Sequence, residues 1–462
     1  MNDNVKQNQR KVALATLIGT TVEWYDFFIY ASAAALVFKQ LYFVPAGSSL
    51  GTIITFASVG VSFLFRPLGA FLAGHFGDRI GRRAVLVATL ILMGGSTFLI
   101  GVLPTYESIG LAAPILLILL RILQGISAGG EWGGAVLMAV EHAPKGKRGL
   151  FGSFPQTGVP LGLLLASGML ALMSGVIAPG EAFVEWGWRI PFLFSVVLLL
   201  LGHWIRKTVE ESPVFEEIKE RKVSVQKPVV KLFKNHFLLV IIAALVFSGN
   251  GALGYMTTGG FIQNYTTDPD GLLKMERTPV LLAVTAAAAS WLLFTFLAGF
   301  FSDKIGRRNI YIIGWIVQYV GVIALFPLVN MGTWHSVWLA LTLLSVGIGL
   351  TYGAQSAFYS ELFPASIRFS GVSISYAIGA ILGGAFSPLI SAALIEKTGS
   401  TESVVYYLGF MTTVGLFATL LLKDRSNIPL GPQYEDLQNE SPIYGFKRKH
   451  SKEKEDISVA VD

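Results

Sequence analysis

The chain of 462 residues contains no cysteine and few charged side chains. Without cysteine it can form neither a disulfide framework nor a thiolate metal site. Only 14% of its residues are charged, against roughly a quarter in an average soluble domain, whereas 53% are hydrophobic. This shortage of charge excludes an ordinary soluble domain and indicates that lipid surrounds most of the chain.

Twelve apolar stretches have about the 20 residues that a helix needs to cross a bilayer. Lipid leaves no partner for backbone N–H and C=O groups, so each stretch is predicted to be a helix. The predicted fold is an all-α membrane protein with two pseudo-symmetric bundles of six transmembrane helices. The predicted spans are 12–38, 51–73, 84–103, 112–140, 150–177, 189–206, 237–264, 278–301, 310–330, 335–359, 371–395 and 405–423.

The polar segments divide the chain into four parts. Two bundles, 1–206 and 237–423, flank a polar linker, 207–236, and the mixed-charge stretch 424–462 is predicted to be a disordered cytoplasmic tail. Most of the 35 Lys and Arg residues fall on the side of the two termini. This positive-inside pattern predicts that both termini are cytoplasmic, and it explains the net charge of +6 without a nucleic-acid partner.

Two motifs occur twice, once in each predicted bundle. The pattern Gly-x-x-x-Asp-Arg/Lys-x-Gly-Arg-Arg covers residues 74–83 and again 299–308, and a second set recurs at nearly the same offset: Glu141, Pro144 and Arg148 as Glu361, Pro364 and Arg368. Each aspartate of the first motif can accept from helix N-terminal amides or neighbouring arginines, so the motif is predicted to clasp the two halves at the cytoplasmic side. The predicted gating residues are Asp78, Arg79, Arg82, Arg83, Asp303, Lys304, Arg307 and Arg308.

The repeated motif and the two parallel halves resemble the major facilitator superfamily. Residues 23–28 (Glu-Trp-Tyr-Asp-Phe-Phe), 121–125 with 129–131, and 187–192 narrow the resemblance to the metabolite:proton symporter family. That family includes permeases for shikimate, 2-oxoglutarate, citrate and proline or glycine betaine. The resemblance implies a monomer in a bacterial-type cytoplasmic membrane, driven by a proton gradient and without a cofactor.

Acidic residues at bilayer depth are candidates for proton coupling, because burying a charge there is costly. Glu23 and Asp26 share one face of the first predicted helix, and Tyr30 continues that face. Two carboxylates so close in a poorly hydrated site are not both easily ionised, so one is expected to hold a proton. Glu131 is the third candidate. The alternative is that these acids only pair with arginines and lock helices together.

Two arginines lie inside predicted spans and need a carboxylate or a polar cavity. Arg66 is in the second span and Arg121 in the fourth, where Gln124 shares a polar face with Arg121 and Glu131. We expect Arg121 to pair with a carboxylate of the first span, Glu23 or Asp26, in the empty protein. Small residues at 125 and 129 predict close helix contact on the other side of the fourth span.

The C-terminal half has no clear charge at mid-membrane depth. Tyr352, Gln355 and Tyr359 recur at helical spacing on one face of the tenth span and could offer hydroxyl and amide partners to a ligand. The sequence therefore predicts proton chemistry in the first half and substrate shape in the second. The predicted substrate-binding residues are Tyr30, Arg66, Arg121, Gln124, Tyr352, Gln355 and Tyr359.

The predicted function is proton-coupled uptake of a small carboxylate-bearing metabolite, shikimate-like or a dicarboxylate, by alternating access. A zwitterionic osmolyte such as proline or glycine betaine is the alternative substrate. A non-transporting membrane sensor on the same fold is the alternative of another class. The sequence offers no nucleophile with a base, no metal cluster and no phosphate loop, so an enzyme is not expected.

Overall fold

The computed structural model describes residues 3–46, 48–80, 82–129, 131–206, 228–258 and 260–445. Within these ranges the regular elements are helices, and extended pairing is confined to one bridge between Leu422 and Ile443. Eleven of the described helices are long and apolar enough to cross a membrane, and Ala88–Val102 is a shorter apolar helix in the third span. The predicted all-helical fold of twelve spans in two bundles is confirmed.

The first six spans form the N-terminal half. The first span continues beyond its helix through a π-helical turn, Ala34–Phe38, and the fourth is described as two helices on either side of residue 130. In order, the helices are Asp3–Ala33, Ser48–Ile80, Arg82–Val102, Ala112–Ala128 with Trp132–Glu141, Arg148–Leu172 and Arg189–Arg206.

The last six spans form the C-terminal half. The seventh span bends at His236, where φ is −133° and ψ is 20°. The eleventh contains a π-helical segment, Ala380–Ala385. In order, the helices are Pro228–Thr258, Arg277–Ile305, Arg307–Val329, Trp334–Leu362, Arg368–Gly379 with Ser387–Thr398, and Glu402–Leu421.

Glycines set the closest contacts between helices of one half. A Cβ added at Gly125 would lie 2.1 Å from Ser62 O, and one at Gly129 would lie 1.9 Å from Arg66 O. The second and fourth spans therefore pack backbone to backbone, as the small residues predicted. In the other half, a Cβ at Gly383 would lie 1.8 Å from Ser248 O, so the seventh and eleventh spans meet in the same way.

One predicted boundary, that of the tail, is wrong. The predicted end of the linker, 207–236, coincides with the bend at His236, and the helical residues from Pro228 precede that bend. The predicted disordered tail, 424–462, is folded from 424 to 445, where Pro432–Tyr434 and Glu435–Gln438 form short helices. Its polar composition indicated disorder, but buried side chains from both halves satisfy its backbone, as described below. Residues 446–462, most of the linker and the side chains of Asp78, Arg79, Arg82 and Arg83 lie outside the described part.

Candidate functional site

Asp26 is a completely buried carboxyl group in the first span. Among the described residues, neither of its oxygens has a hydrogen-bond partner. Thr97 lies beside it, but Thr97 donates its own proton to Met93 O at 3.0 Å and accepts from Gln124 Nε2 at 2.8 Å. Thr97 can therefore accept from a protonated Asp26 and has no proton left to offer an ionised one, so the arrangement suits the neutral carboxyl.

Arg121 in the fourth span is held by four neutral oxygens. Nε donates to Ser58 O at 3.3 Å, and Nη2 donates to Val59 O at 2.9 Å. Nη2 also donates to Ser62 Oγ at 2.9 Å, and Nη1 donates to Gln124 Oε1 at 2.7 Å. These bonds fix Arg121 against the second span and link it, through Gln124, to the threonine beside Asp26.

The predicted pair between Arg121 and a carboxylate has two versions. The version with Asp26 is absent from the described contacts, because both Asp26 oxygens lack a hydrogen bond. The physical reason is that carbonyl, hydroxyl and amide oxygens of the second and fourth spans already receive the guanidinium donors. The version with Glu23, which is also buried, stays a prediction.

Arg66 in the second span is the more available of the two guanidinium groups. It is buried, and in the described structure its Nε has no hydrogen-bond partner. Its guanidinium carbon lies 4.3 Å from the ring centroid of Phe63 and 5.4 Å from that of Trp24. Tyr376, from the C-terminal half, lies close enough to interact with it electrostatically. Arg66 thus lies at the boundary between the two halves.

Two cavities occur at this depth. The smaller has a volume of about 10 Å³, lies between side chains of the N-terminal half and brings together three of the predicted substrate residues. The larger has a volume of about 20 Å³ and lies between the two halves, so each has room for about one water molecule in this closed state. The smaller is lined by Phe27, Ser62, Arg66, Met93, Arg121, Gln124 and Ala128. The larger is lined by Trp24, Phe28, Val159, Phe247, Asn250, Gly251, Gly254, Trp291, Ile348 and Tyr352.

The other predicted substrate residues have different positions. Tyr352 lines the larger cavity, and its hydroxyl lies 3.5 Å from that of Tyr376. Gln355 is buried one turn further on, and neither atom of its amide has a partner among the described residues. Tyr359 donates its hydroxyl to Ala243 O within its own half. Tyr30 is bonded to Ser58 Oγ at 2.8 Å and stacks its ring 3.8 Å from the Arg121 guanidinium carbon.

Glu131 is buried in the fourth span, directly before the helix Trp132–Glu141. The predicted shared face of Gln124 and Glu131 stays a prediction, because residue 130 lies outside the described part. The indole of Trp132, next in the chain, stacks on Tyr376 of the other half, with ring centroids 3.7 Å apart and planes 13° apart. Sequence reasoning missed this contact, together with Trp24, Asn250 and Trp291 in the larger cavity.

The second copy of the repeated motif clasps the two halves at one end of the bundle, here called the motif end. Asp303 accepts from the backbone N–H groups of Gly149 and Leu150, both at 2.8 Å, at the start of the fifth helix. Arg307 donates to the same carboxylate at 2.7 Å and also pairs with Glu361. The expected use of helix N-terminal amides and a neighbouring arginine is therefore present at Asp303.

The remaining predicted gating residues of this copy contact the C-terminal half and the tail. Arg308 donates its backbone N–H to Asp424 Oδ2 at 3.2 Å, and Lys304 lies over the ring of Phe300 at 4.3 Å. Partial burial opposes ionisation of Asp424, but hydrogen bonds from Ser426 and from the backbone of Arg308 lower the pKa of Asp424 below its usual value. Asp424 is therefore charged at neutral pH and anchors the start of the tail.

The second repeated motif forms reciprocal ion pairs across the halves. Arg148 of the first half lies 3.5 Å from Glu361 of the second, and Arg368 of the second lies 3.3 Å from Glu141 of the first. The glutamate of each copy of the motif therefore pairs with the arginine of the other copy. The pairs hold the motif end closed.

The ordered tail, residues 424–445, lies over these pairs. Arg148 Nη1 donates to Ile428 O at 2.8 Å, and Arg368 Nη1 donates to Leu430 O at 2.9 Å. Gln438 accepts from Arg368 Nη2 at 3.1 Å and from the Ala365 backbone at 2.8 Å. The same two arginines therefore bind both the opposite half and the tail.

The opposite end of the bundle is also bridged. Lys39 of the first half lies 3.3 Å from Asp268 of the second, and Asn264 Nδ2 donates to Ala35 O at 3.3 Å. Ser174 and Thr278 join the fifth and eighth spans through their hydroxyls at 2.9 Å. With contacts at both ends and cavities between them, the described state is occluded.

Two six-helix halves around central cavities, with bridges at both ends, define a membrane transporter of the two-bundle class. Sequence comparison gives the same result, since residues 16–375 and 273–451 match the Major Facilitator Superfamily. The chain belongs to this superfamily. It is a multi-pass membrane transporter and not an enzyme.

Several curated relatives are similar along most of their length. The inner membrane metabolite transport protein YhjE of Escherichia coli is 39% identical over 416 residues, which cover 90% of this chain and 94% of the relative. The shikimate transporter of Escherichia coli is 38% identical, with 90% and 94% covered. The proline/betaine transporter of Escherichia coli is 31% identical, with 94% and 88% covered. The predicted resemblance is therefore confirmed, and the chain belongs with metabolite transporters of the inner membrane.

Solved structures agree on the fold. The proton:xylose symporter XylE bound to 6-bromo-6-deoxy-D-glucose superposes with a TM-score of 0.73 over 90% of this chain and 95% of that one. Sequence identity between the two is 17%. This similarity supports the arrangement of helices alone.

Proposed function

We propose that this protein takes up a small carboxylate-bearing metabolite together with protons, working as a monomer. The observation that carries the proposal is Asp26, a fully buried carboxyl with no hydrogen-bond partner in the described structure, near two buried arginines of the same half. A carboxyl in such a site is neutral when protonated and unfavourable when charged, which is the property that a proton carrier needs.

The proton step uses the contacts around Asp26. Protonation removes the charge of Asp26 beside Thr97, which leaves Arg121 on its neutral oxygens. When Asp26 loses the proton, its charge attracts a guanidinium and rearranges this chain of hydrogen bonds. Glu23 and Glu131 are the further acids that take part in the proton pathway, since both are buried near the same helices.

The carried carboxylate binds at Arg66. This guanidinium lies between the cavities, and its Nε has no partner within the described residues. A planar guanidinium binds a carboxylate through two parallel hydrogen bonds. Relatives named as shikimate and proline/betaine transporters carry substrates with a carboxylate, which supports this assignment.

Alternating access follows from the two sets of bridges. The halves, 1–206 and 237–423, rock as units, and the motif end opens when the ion pairs at Glu141 and Glu361 break. The excess of Lys and Arg near the termini supports a cytoplasmic location for both termini and for the motif end. Coupling then requires that the motif end opens after both proton and metabolite are bound.

The first test is uptake into proteoliposomes. Labelled shikimate, 2-oxoglutarate, citrate, proline and glycine betaine are each supplied with an inward proton gradient and again with the gradient collapsed. We expect accumulation of one acid only with the gradient, and loss of accumulation in Arg66→Ala. The matched control is Arg277→Ala, an arginine at the start of the eighth helix. Equilibration that ignores the gradient would contradict symport, and no uptake at all would favour the sensor.

A second candidate substrate is a zwitterionic osmolyte. Aromatic rings of Phe28, Phe247 and Tyr352 line the larger cavity, and aromatic rings attract quaternary ammonium groups. Gradient-driven accumulation of glycine betaine instead of the acids would establish this candidate.

A further inference from the structure

Two tryptophans in the walls of the larger cavity carry buried indole N–H groups without an acceptor in the part of the chain that the structure describes. Trp24 comes from the first span, in the N-terminal half, and Trp291 comes from the eighth span, in the C-terminal half. Both side chains are buried, with 3% and 4% exposure. The two donors therefore belong to opposite halves of the transporter.

A buried donor without an acceptor is unusual and unfavourable. Trp132 and Trp315 satisfy the rule, since Trp132 donates to Gln156 Oε1 at 3.2 Å and Trp315 donates to Thr419 Oγ1 at 2.9 Å. The indoles of Trp188 and Trp334 also lack an acceptor among the described residues, but they line neither cavity. What distinguishes Trp24 and Trp291 is their position in a cavity wall, where a bound molecule can supply the acceptor. In this respect Trp24 and Trp291 resemble Arg66, whose Nε also lacks a partner in the described structure.

The surroundings of the cavity fix what the ligand must offer. The residues described as lining it include no Asp, Glu, Lys or Arg, so its walls provide shape and a few polar groups. Asn250 is one of these, and its Oδ1 is already occupied by Gln318 at 3.1 Å and Thr351 at 2.7 Å. The side-chain oxygen of Asn250 is thus committed to its own half.

Trp24 connects this cavity to the carboxylate site. Its ring lines the larger cavity, and the Arg66 guanidinium, which lines the smaller one, lies 5.4 Å from the ring centroid. A ligand whose carboxylate binds Arg66 therefore extends past Trp24 towards Trp291, and the larger cavity must widen from its size in the empty protein to admit it.

We propose that Trp24 and Trp291 are specificity-determining donors that each bind an uncharged oxygen of the carried molecule, in addition to the carboxylate bound by Arg66. This inference rests on the proposed function and names its substrate class: a small carboxylate with hydroxyl or carbonyl oxygens on its skeleton. Glycine betaine carries both of its oxygens on the carboxylate and cannot satisfy all three donors from separate positions. Since the two indoles belong to opposite halves, the bound molecule bridges the halves and stabilises the occluded state.

The test removes each N–H while keeping an aromatic ring. Trp24→Phe and Trp291→Phe are reconstituted as full chains, and the KM for shikimate is compared with the KM for analogues that lack one ring hydroxyl. One lost hydrogen bond is expected to raise the KM about three- to tenfold in each variant. The effects of removing a substrate hydroxyl and of removing the indole that binds it should be non-additive. For an analogue without the hydroxyl that Trp291 binds, the KM should not rise further in Trp291→Phe.

The matched control is Trp188→Phe. The Trp188 indole is also buried and without an acceptor among described residues, but it does not line either cavity. We expect the KM of Trp188→Phe for shikimate to equal that of the unmodified protein. A thermal melt without ligand checks folding, and a ligand-induced rise in Tm that is reduced only in the two cavity variants gives a second readout.

The outcomes separate this inference from the proposed function. If the unmodified protein accumulates an acid and the two cavity variants match it for every analogue, the donor assignment fails while symport stands. Accumulation of glycine betaine with better affinity than any hydroxylated acid also overturns the assignment. If the unmodified protein accumulates no carboxylate at all, the proposed function fails and the substrate class fails with it.

Discussion

At the scale of single residues, the chemistry of this transporter depends on a few polar groups that the fold leaves unsatisfied. Asp26, Arg66 and the two cavity tryptophans are buried, yet each has an atom without a hydrogen-bond partner in the described structure. Arg121 is different, because its described hydrogen bonds go to oxygens of the second and fourth spans. An unsatisfied buried donor or acceptor is unfavourable in the empty protein, and a proton or ligand that completes it stabilises the site.

Asp26→Asn removes the exchangeable proton and keeps the shape of the side chain. We expect the variant to lose gradient-driven accumulation but to keep exchange of internal for external substrate, because the amide mimics the protonated carboxyl. The measurement is uptake with an inward proton gradient beside counterflow without one. Glu107→Gln, an exposed acid in the short helix Tyr106–Ile109, is the control. Unchanged accumulation in Asp26→Asn would remove Asp26 from the carrier role.

The sequence predicted these charged residues and missed their aromatic partners for one physical reason. A charge inside an apolar run is anomalous whatever it contacts, so Asp26 and Arg66 can be recognised without a structure. A tryptophan in such a run is ordinary, and only the contact geometry shows that Trp291 faces a cavity or that Trp132 stacks on Tyr376. Those contacts join helices far apart in the chain, which spacing along one helix cannot reveal.

At the scale of helices, close backbone contact positions the smaller cavity. The fourth span meets the second where Gly125 lies against Ser62 and Gly129 against Arg66, and Arg121 binds carbonyls of the same segment. Small residues at a spacing of four predicted this contact.

Gly125→Ala tests this packing. The added Cβ would lie 2.1 Å from Ser62 O, so the two helices must separate. We expect a destabilisation of about 1–3 kcal/mol, as for other overpacked cores, together with weaker substrate binding. Gly95→Ala is the matched control, since a Cβ there meets nothing within 4 Å among described atoms. The measurement is the Tm in detergent, and equal values for both variants would contradict the close contact.

The tail, residues 424–445, is ordered although its composition predicted disorder. Its sequence is polar, yet Gln438 is buried and forms hydrogen bonds to Pro429 O at 2.7 Å and Gly431 O at 2.9 Å, besides accepting from Arg368. A polar segment folds when such bonds satisfy its backbone, and those partners lie in other parts of the chain. The composition of residues 424–445 alone therefore could not predict that this segment folds.

Gln438→Ala removes the centre of this network. We expect residues 424–445 to exchange amide hydrogens at least about tenfold faster, because several buried partners lose their bonds. Gln433→Ala, in an exposed position of the same segment, should change little. Hydrogen exchange followed by mass spectrometry measures both. Protection that survives in Gln438→Ala would show that the tail is held by its other contacts.

At the scale of the whole molecule, the duplicated motif gives the two halves symmetric ion pairs. Both copies of the second repeated motif contribute one acid and one arginine, and each pairs across the boundary between the halves. The sequence predicted the duplication and a clasp at this end, because charged turns recur in register. It could not predict that the pairs are reciprocal, since that depends on how the two halves face each other.

Glu141→Gln weakens one of the reciprocal pairs while leaving Arg148 and Glu361 in place. Removing one partner of a buried pair costs up to about 3–5 kcal/mol, and Arg368 then keeps only its hydrogen bonds to neutral oxygens and its weaker interaction with Glu435. We therefore expect the motif end to open in a larger fraction of molecules, by about tenfold or more. The chain has no cysteine, so Lys145→Cys and Asn309→Cys give two unique label sites, one on each half. Distances between spin labels should then gain a longer component.

The control for this change is Glu185→Gln, an exposed acid away from the ion pairs. It should leave the label distances unchanged. One outcome is that Glu141→Gln opens the motif end without the gradient and uncouples uptake from protons. In that case the ion pair sets the order of opening, because it keeps the motif end closed until proton and metabolite are bound. If the distances stay the same in both variants, the tail and the Asp303 clasp hold the halves without this pair, and the ion pair serves only local folding.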